Sequence, residues 1–382
     1  MQQNWNLNLN NIPEELHLIL NLLSVKNTSE SPKIDWDQFI DLAKHHRAYP
    51  GLASKWVLME ESIPSKVKQT IKQLYQRNTL YMLYLSAEME NINKLFQTEN
   101  INLLFLKGPL LGTDLYGDVS LRTSNDLDIL VPIEQLEQAE DLLLHQGYVK
   151  DEYFDTQFND WKWRHHHLSF FHQEKGIKIE VHWRLNPGPG REPRFSELWA
   201  RRRGIKETYT LAKEDLFYFL VLHGARHGWS RLRWLMDIFQ MLKLEMNWEE
   251  VYLVFKKYHQ IHIAGQALIL VSVLFNSPLP KGTERFLQNK RSHLLAQKAI
   301  FYFERRVSLH SSSVPKDIAD YHSRHLFSLM SIQQKCLFIL SLYYPLPEDV
   351  QVLPLPKLLR FLYFPLRPVT WLLKKTRKHV LT

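Results

Sequence analysis

The stretch Arg122-Thr-Ser-Asn-Asp-Leu-Asp-Ile-Leu-Val131 decides how this chain is read. Asp126 and Asp128 stand two apart in a segment that turns wholly apolar through Ile129, Leu130 and Val131 before Pro132 ends it. That pattern predicts a β-strand with two carboxylates at its entrance. A period of two puts both acids on one face of the strand and Leu127 on the other. Two carboxylates so placed repel each other unless a cation lies between them, and hard Mg²⁺ prefers such oxygen ligands. An isolated Asp-x-Asp is a frequent accident whose bland reading is a solvated strand end, so its surroundings carry the weight.

Upstream, Leu103-Leu-Phe-Leu106 runs into Lys107-Gly-Pro109, which predicts a short buried strand, a turn, and a helix that Pro109 could begin. Gly108 lets backbone approach a phosphate, and a helix N-terminus directs N–H groups and positive dipole at an anion. Lys107 and Arg122 are candidates to neutralise triphosphate oxygens. Downstream, residues 134–145 read as an amphipathic helix closed by Gly147, and residues 167–171 and 177–182 as a hairpin turning near Glu174-Lys-Gly176. Ile179-Glu180-Val181 places a third acid between two apolar residues. Three acids, Asp126, Asp128 and Glu180, converging on one sheet edge make a candidate two-metal site, the arrangement suited to in-line phosphoryl displacement.

Helical periodicity flanks this segment. Residues 12–100 carry it on one side, with residues 67–97 as one long helix or two joined ones. On the other side it covers residues 216–227, 232–244 and 251–274. Helices mixed with adjacent strands imply an α/β or α+β core. A Pro-, Gly- and Arg-rich loop over residues 186–194 leaves that core.

Hydrophobic residues at 45% and aromatics at 12% supply a folded core. The 48 basic residues exceed the 40 acidic ones by eight, with a pI near 9.2. However, no acid follows Asp349, while Lys357, Arg360, Arg367, Lys374, Lys375, Arg377 and Lys378 do. Without those seven charges the body is close to neutral, which makes a nucleic-acid partner unlikely without excluding one. The single cysteine, Cys336, excludes an intrachain disulfide and fits a reducing compartment. The start shows no secretory pattern, and no apolar run approaches the roughly 20 residues of a membrane helix, so a cytoplasmic location is expected.

His165, His166, His167 and His172 precede Glu180 and His182, but without a nearby cysteine the spacing argues against a structural zinc site. His223 and His227 lie four apart on one helix face. They lack the adjacent acid of a metalloprotease helix. With Arg226, Arg231 and Arg233 they are candidates to line a cleft facing triphosphate or acceptor, with Asp237 as an ion-pair partner. The competing reading makes Trp229, Trp234 and Leu235 core and the charges a solvated surface. The tail mixes Leu, Phe and Trp with its basic residues and could contact a membrane surface or a protein partner. Prolines at 354, 356, 365 and 368 interrupt any long amphipathic face and favour packing on the body.

Leu106-Lys-Gly-Pro-Leu-Leu, Leu115-Tyr-Gly, Arg122 to Val131, Glu180-Val-His-Trp183 and His223-Gly-Ala-Arg-His-Gly-Trp229 together resemble the uncharacterised bacterial nucleotidyltransferases of the polymerase-β-like superfamily, over about residues 16–274. The resemblance implies an α+β fold: a small mixed-sheet palm core at residues 101–210, helical units at 1–100 and 211–345, and a basic aromatic tail at 346–382. It puts Gly108 at the glycine turn, Asp126 and Asp128 at the metal-binding pair, and Glu180 at the third carboxylate. Where the superfamily usually has Ser or Gly after the glycine, Pro109 removes one N–H donor. The implied activity is transfer of a nucleoside monophosphate from a nucleoside triphosphate to an acceptor hydroxyl, with Mg²⁺ or Mn²⁺ and release of pyrophosphate. A small-molecule acceptor is expected. The alternatives are a catalytically silent nucleotide-binding scaffold and a toxin-like enzyme that modifies tRNA or protein.

Overall fold

The structure, a computed structural model, describes residues 5–24, 33–55, 63–151, 158, 160–309 and 313–380. Four helices come first: α1 (Glu14–Leu23), α2 (Trp36–His45), α3 (Tyr49–Lys55) and the 34-residue α4 (Ser65–Thr98). The central segment holds β1 (Leu104–Phe105), α5 (Pro109–Tyr116), β2 (Asp126–Leu130), α6 (Leu136–His145), β3 (Val149–Lys150), α7 (Trp161–Arg164), β4 (His167–His172), β5 (Ile177–His182), α8 (Phe195–Ala200), β6 (Arg203–Ile205) and β7 (Thr208–Thr210). Then follow α9 (Lys213–Arg226), α10 (Leu232–Met241), α11 (Trp248–Lys257), α12 (Ile261–Leu274), α13 (Glu284–Leu287), α14 (Lys290–Glu304), α15 (Lys316–Leu329), α16 (Ile332–Ser341), α17 (Pro347–Val352) and α18 (Tyr363–Val380).

The seven strands form one mixed sheet in the order β3-β4-β5-β2-β1-β7-β6. β2 runs parallel to β5 and antiparallel to β1, and β4 and β5 form the expected antiparallel hairpin. With its flanking helices this is an α+β fold. Alternation along β2 is what aims the acids. Leu127, Ile129 and Val131 enter one core with Met82, Leu85, Met89 and Phe96 of α4 and Leu143 of α6. Leu130 enters a second core built on α9, α10 and α12, so Asp126 and Asp128 face that side. This second core also takes in Leu16 and Ile19 of α1 and Phe39 of α2, so the helices before and after the sheet share one interior.

Some local readings change. The helix expected over residues 251–274 is two helices, α11 and α12, because His259 takes a left-handed φ of 57° between them. β3, β6 and β7 have two or three residues each, too short for periodicity to show. The tail's prolines do not prevent a helix. Pro365 falls in the first turn of α18, where an N–H has no intrahelical acceptor, and Pro368 lies inside it. The side chains of Lys374, Lys375, Arg377 and Lys378 lie outside the described residues. Among the described residues no helix is long and apolar enough to cross a membrane.

Candidate active site

Register between β2 and β5 sets the geometry. Asp128 lies directly opposite Glu180, and Asp126 opposite Lys178. The Asp128 carboxylate is fully buried. Its Oδ1 is ion-paired with Lys107 Nζ at 2.9 Å and bonded to His182 Nε2 at 3.2 Å, while its Oδ2 is buried with no hydrogen-bond partner among the described residues. Glu180 takes Lys178 Nζ at 2.8 Å, and His182 and His167 approach its other oxygen at 3.6 and 3.9 Å. Asp126, half-buried, is held at Oδ1 by the Ser124 hydroxyl at 3.3 Å.

The glycine turn has a steric cause. Gly108 adopts φ 85° and ψ −150°, a region closed to residues with a Cβ, and it caps α5 with Pro109 as the first helical residue. Arg122 underlies this turn and does not face the acids. It is 1% exposed, bonds Asp237 two-headed at 2.9 and 3.0 Å, and has the Gly108 carbonyl at 3.5 Å. Tyr116 donates to the same carboxylate at 2.9 Å. Asp237 is therefore an ion-pair partner, but of Arg122 and not of the downstream basic cluster.

The charges are strongly coupled. Burial and the Asp128 charge push the Asp126 carboxyl above its ordinary range. Burial acts the same way on Asp128, yet Lys107 and the His182 bond outweigh it and hold that carboxyl below the ordinary value. At Glu180 burial is likewise overcome, by His182 and His167, and the carboxyl lies well below its usual range. His182 responds in the opposite sense: burial disfavours its charge, but bonds to Asp128 and Glu180 raise its pKa. His167 is lowered to about 4 by burial and by His182. Ionised Asp128 and Glu180 thus face Lys107 and an imidazole, His182, whose charged form they favour.

These residues fit a divalent metal. Hard carboxylate oxygens converge, and one buried Asp128 oxygen has no hydrogen-bond partner among the described residues. The ligand atoms within 4.8 Å of one another belong to Asp128, Glu180 and His182, with a second such group at His166, His167 and His182. Asp126 is in neither group, and the imidazole of His182 is in both.

Among the downstream candidates, Trp229, Trp234 and Leu235 are core; of the groups beside them His223 is buried, while Arg226, His227, Arg231 and Arg233 are half-buried. His223 is held well below its ordinary pKa by burial and by Lys107. The His223 and His227 rings lie 4.6 Å apart, and His227 stacks on Trp234 at 5.0 Å. Gly224 is a glycine because a Cβ there would lie 2.1 Å from the Trp229 ring. Burial lowers the Arg226 pKa to about 10 against the raising effect of Glu180, and one of its terminal nitrogens is buried without a partner. Arg233 donates to Thr123, and Arg231 to the carbonyl of His45. Sequence reading missed His182, Lys178 and Arg47. The first two were within reach, since Lys178, Glu180 and His182 share one strand face by the same alternation that paired the aspartates. Arg47, whose charge acts on Asp126, comes from the loop after α2 and left no local signal.

A family model described as "Uncharacterised nucleotidyltransferase" matches residues 32–276, well over half of the chain. The chain belongs to that family. No curated protein and no solved structure matches it. In this nucleotidyltransferase the matched segment contains every acid of the candidate site. Arg226 also borders a cavity of about 320 Å³ lined by Tyr218, Leu222, Ile263, Leu329 and Phe338. One wall is the Pro- and Gly-rich loop, pinned by the Glu192 carboxylate, which accepts from the backbone N–H groups of Leu185 and Asn186 at 2.9 Å. Its far side, from α15 and α16, lies beyond the matched residues.

Proposed function

We propose that the chain transfers a nucleoside monophosphate from a nucleoside triphosphate to a hydroxyl of a small acceptor, with Asp126, Asp128 and Glu180 holding divalent Mg²⁺ or Mn²⁺. The observation that supports this most is the cross-strand pair of buried Asp128 and half-buried Glu180, both held ionised, with one Asp128 oxygen unsatisfied by any described residue. Bound divalent ions would neutralise triphosphate charge and lower the cost of forming the attacking oxygen's negative charge. The chain's own parts have separate tasks. Gly108 and the N-terminus of α5 offer backbone N–H groups to phosphate oxygens, one fewer than usual because of Pro109. Lys107 adds a positive charge beside Asp128, while Arg122, tied to Asp237, holds the turn in place.

The acceptor oxygen attacks the α-phosphorus as the bond to the bridging oxygen of the β-phosphate breaks. Pyrophosphate leaves, and the hydroxyl proton passes to solvent. His223, Arg226 and His227 lie on the acceptor side, and the cavity beside Arg226 has the size of a small-molecule site. Placement in the polymerase-β-like superfamily, with residues 101–210 as the catalytic core between helical units and a separate tail, is part of this reading. It is supported by the mixed sheet with acids on adjacent parallel strands.

Incubation of the full chain with α-labelled nucleoside triphosphates, Mg²⁺ and a panel of hydroxylated small molecules should yield a labelled product and pyrophosphate. An Asp126→Ala/Asp128→Ala double variant that binds Mg-nucleotide as well as the unsubstituted chain would remove the metal assignment.

A further inference from the structure

Most of the large hydrophobic side chains exposed at the surface lie between Phe327 and Leu373. Leu358 is 89% exposed, Ile332 81% and Phe361 64%, with Leu340, Leu342 and Phe364 beside them in the same segment. A scattered surface Leu needs no explanation, but apolar residues concentrated on one segment do.

The orientation of α18 is built by its anchors. Asp349, buried, accepts from Arg367 at 3.0 Å and from the Thr370 hydroxyl at 2.8 Å. The Tyr363 hydroxyl, also buried, donates to Leu353 O at 2.6 Å and accepts from Leu355 N at 2.9 Å. Positions 363, 367 and 370 follow i, i+4, i+7 and make one helix face, so the Tyr363, Arg367 and Thr370 side chains point inward. Phe364 and Trp371, seven apart, are both exposed. This reverses the usual amphipathic order, in which the apolar face packs on the core. The Tyr344 ring, just past α16, lies 5.1 Å from that of Phe364 and links the end of α16 to the start of α18.

Charge selects the occupant. No acidic residue follows Asp349; seven basic ones do, of which Arg367 is paired with Asp349, and α16 contributes Lys335 and no acid. A second copy of this face would bring the same positive charges against it. A bilayer with anionic headgroups supplies both complements, hydrocarbon for the Leu and Phe side chains and negative charge for Lys and Arg. We propose that the face formed by α16, the turn at Lys357–Leu362 and α18 binds anionic membrane surfaces, with its helices lying in the headgroup plane. No described helix could cross the bilayer, and the face stands outside the residues of the family match, so this does not depend on the transfer reading.

The full chain should co-sediment with vesicles containing about 30% phosphatidylglycerol at least tenfold more strongly than with pure phosphatidylcholine vesicles, and less as salt rises. Leu358→Asp/Phe361→Asp, at exposed positions, should cut that binding tenfold or more with an unchanged circular-dichroism melt. Lys374→Glu/Lys375→Glu should remove the preference for anionic lipid. Three results would overturn the proposal: no vesicle binding by the unsubstituted chain, binding that survives Leu358→Asp/Phe361→Asp, or a dimer that the same variant dissolves. Capture of a protein from extract in place of vesicles would also overturn it.

Discussion

Replacing Asp237 by leucine removes both strong acceptors of the Arg122 guanidinium at once. The Arg122 side chain is 1% exposed, and its remaining neighbours, the carbonyls of Gly108 and Thr123, stand at 3.5 Å, the outer limit of a hydrogen bond. An uncompensated buried charge of this kind destabilises by about 3–5 kcal/mol, and the hydroxyl of Tyr116 loses its acceptor for about 1 kcal/mol more. Arg122→Met strands the Asp237 carboxylate and should cost a similar amount. The double variant Arg122→Met/Asp237→Leu strands neither charge, so it should be more stable than either single one, leaving a coupling of several kcal/mol. Urea titrations by far-UV circular dichroism, extrapolated to water with the slope checked for constancy, give the three free energies. Singles that each lose under about 1 kcal/mol, or a double equal to their sum, would refute a buried ion pair as the support of the glycine turn. The double variant should also bind Mg-nucleotide more weakly than the unsubstituted chain, because Arg122 reaches the carbonyl of Gly108.

Glu180→Gln keeps the side-chain shape but removes a charge from the acid pocket, and should lower product formation from α-labelled nucleotide about a hundredfold or more with an unchanged melt. Undiminished turnover would exclude Glu180 as a metal ligand. Gly224→Ala would drive a Cβ to 2.1 Å from the Trp229 ring and should destabilise by about 2–3 kcal/mol, read from the urea midpoint of tryptophan fluorescence. His262 and His325 donate to the carbonyls of Leu329 and Ala225 at 2.7 and 3.0 Å, and burial lowers each to about 4. The unfolded chain therefore takes up protons between about pH 6.5 and 4 that the folded chain refuses. Their contribution is full above about pH 6.5 and lost as pH falls through 4. Urea midpoints should drop across that window, and less steeply in His325→Asn; equal slopes would exclude the buried histidine as the cause.

Much of the site was legible because strands translate sequence spacing directly into direction. The two-residue interval of Asp126 and Asp128, the apolar neighbours of Glu180 and the glycine before Pro109 each specify a local geometry that needs no distant partner. Arg122 was different. A basic residue four positions before an acid pair suggests a phosphate ligand, but its role was decided by Asp237, 115 residues away and buried against the same turn. The histidines were misjudged for a related reason: metal-site spacing rules describe ligands on one segment, whereas His182 and His166 meet through the pairing of β4 with β5. The tail's prolines argued against an amphipathic face. Their effect depended on where the helix began, which Tyr363, Arg367 and Thr370 settle through contacts with residues 349–355.

By itself the sequence determined the mixed helix and strand content, the strand that carries the acid pair, the hairpin that carries Glu180, and the glycine turn, since each depends on interactions within a few residues. Only the tertiary structure decided that Asp128 faces Glu180, that His182 and Lys107 hold both ionised, that Arg122 supports the turn from beneath, and that the last helix presents apolar side chains to the outside. Those outcomes depend on strand register, burial and long-range charge pairs, and the free energy of a buried charge is set by whichever neighbours the fold brings to it.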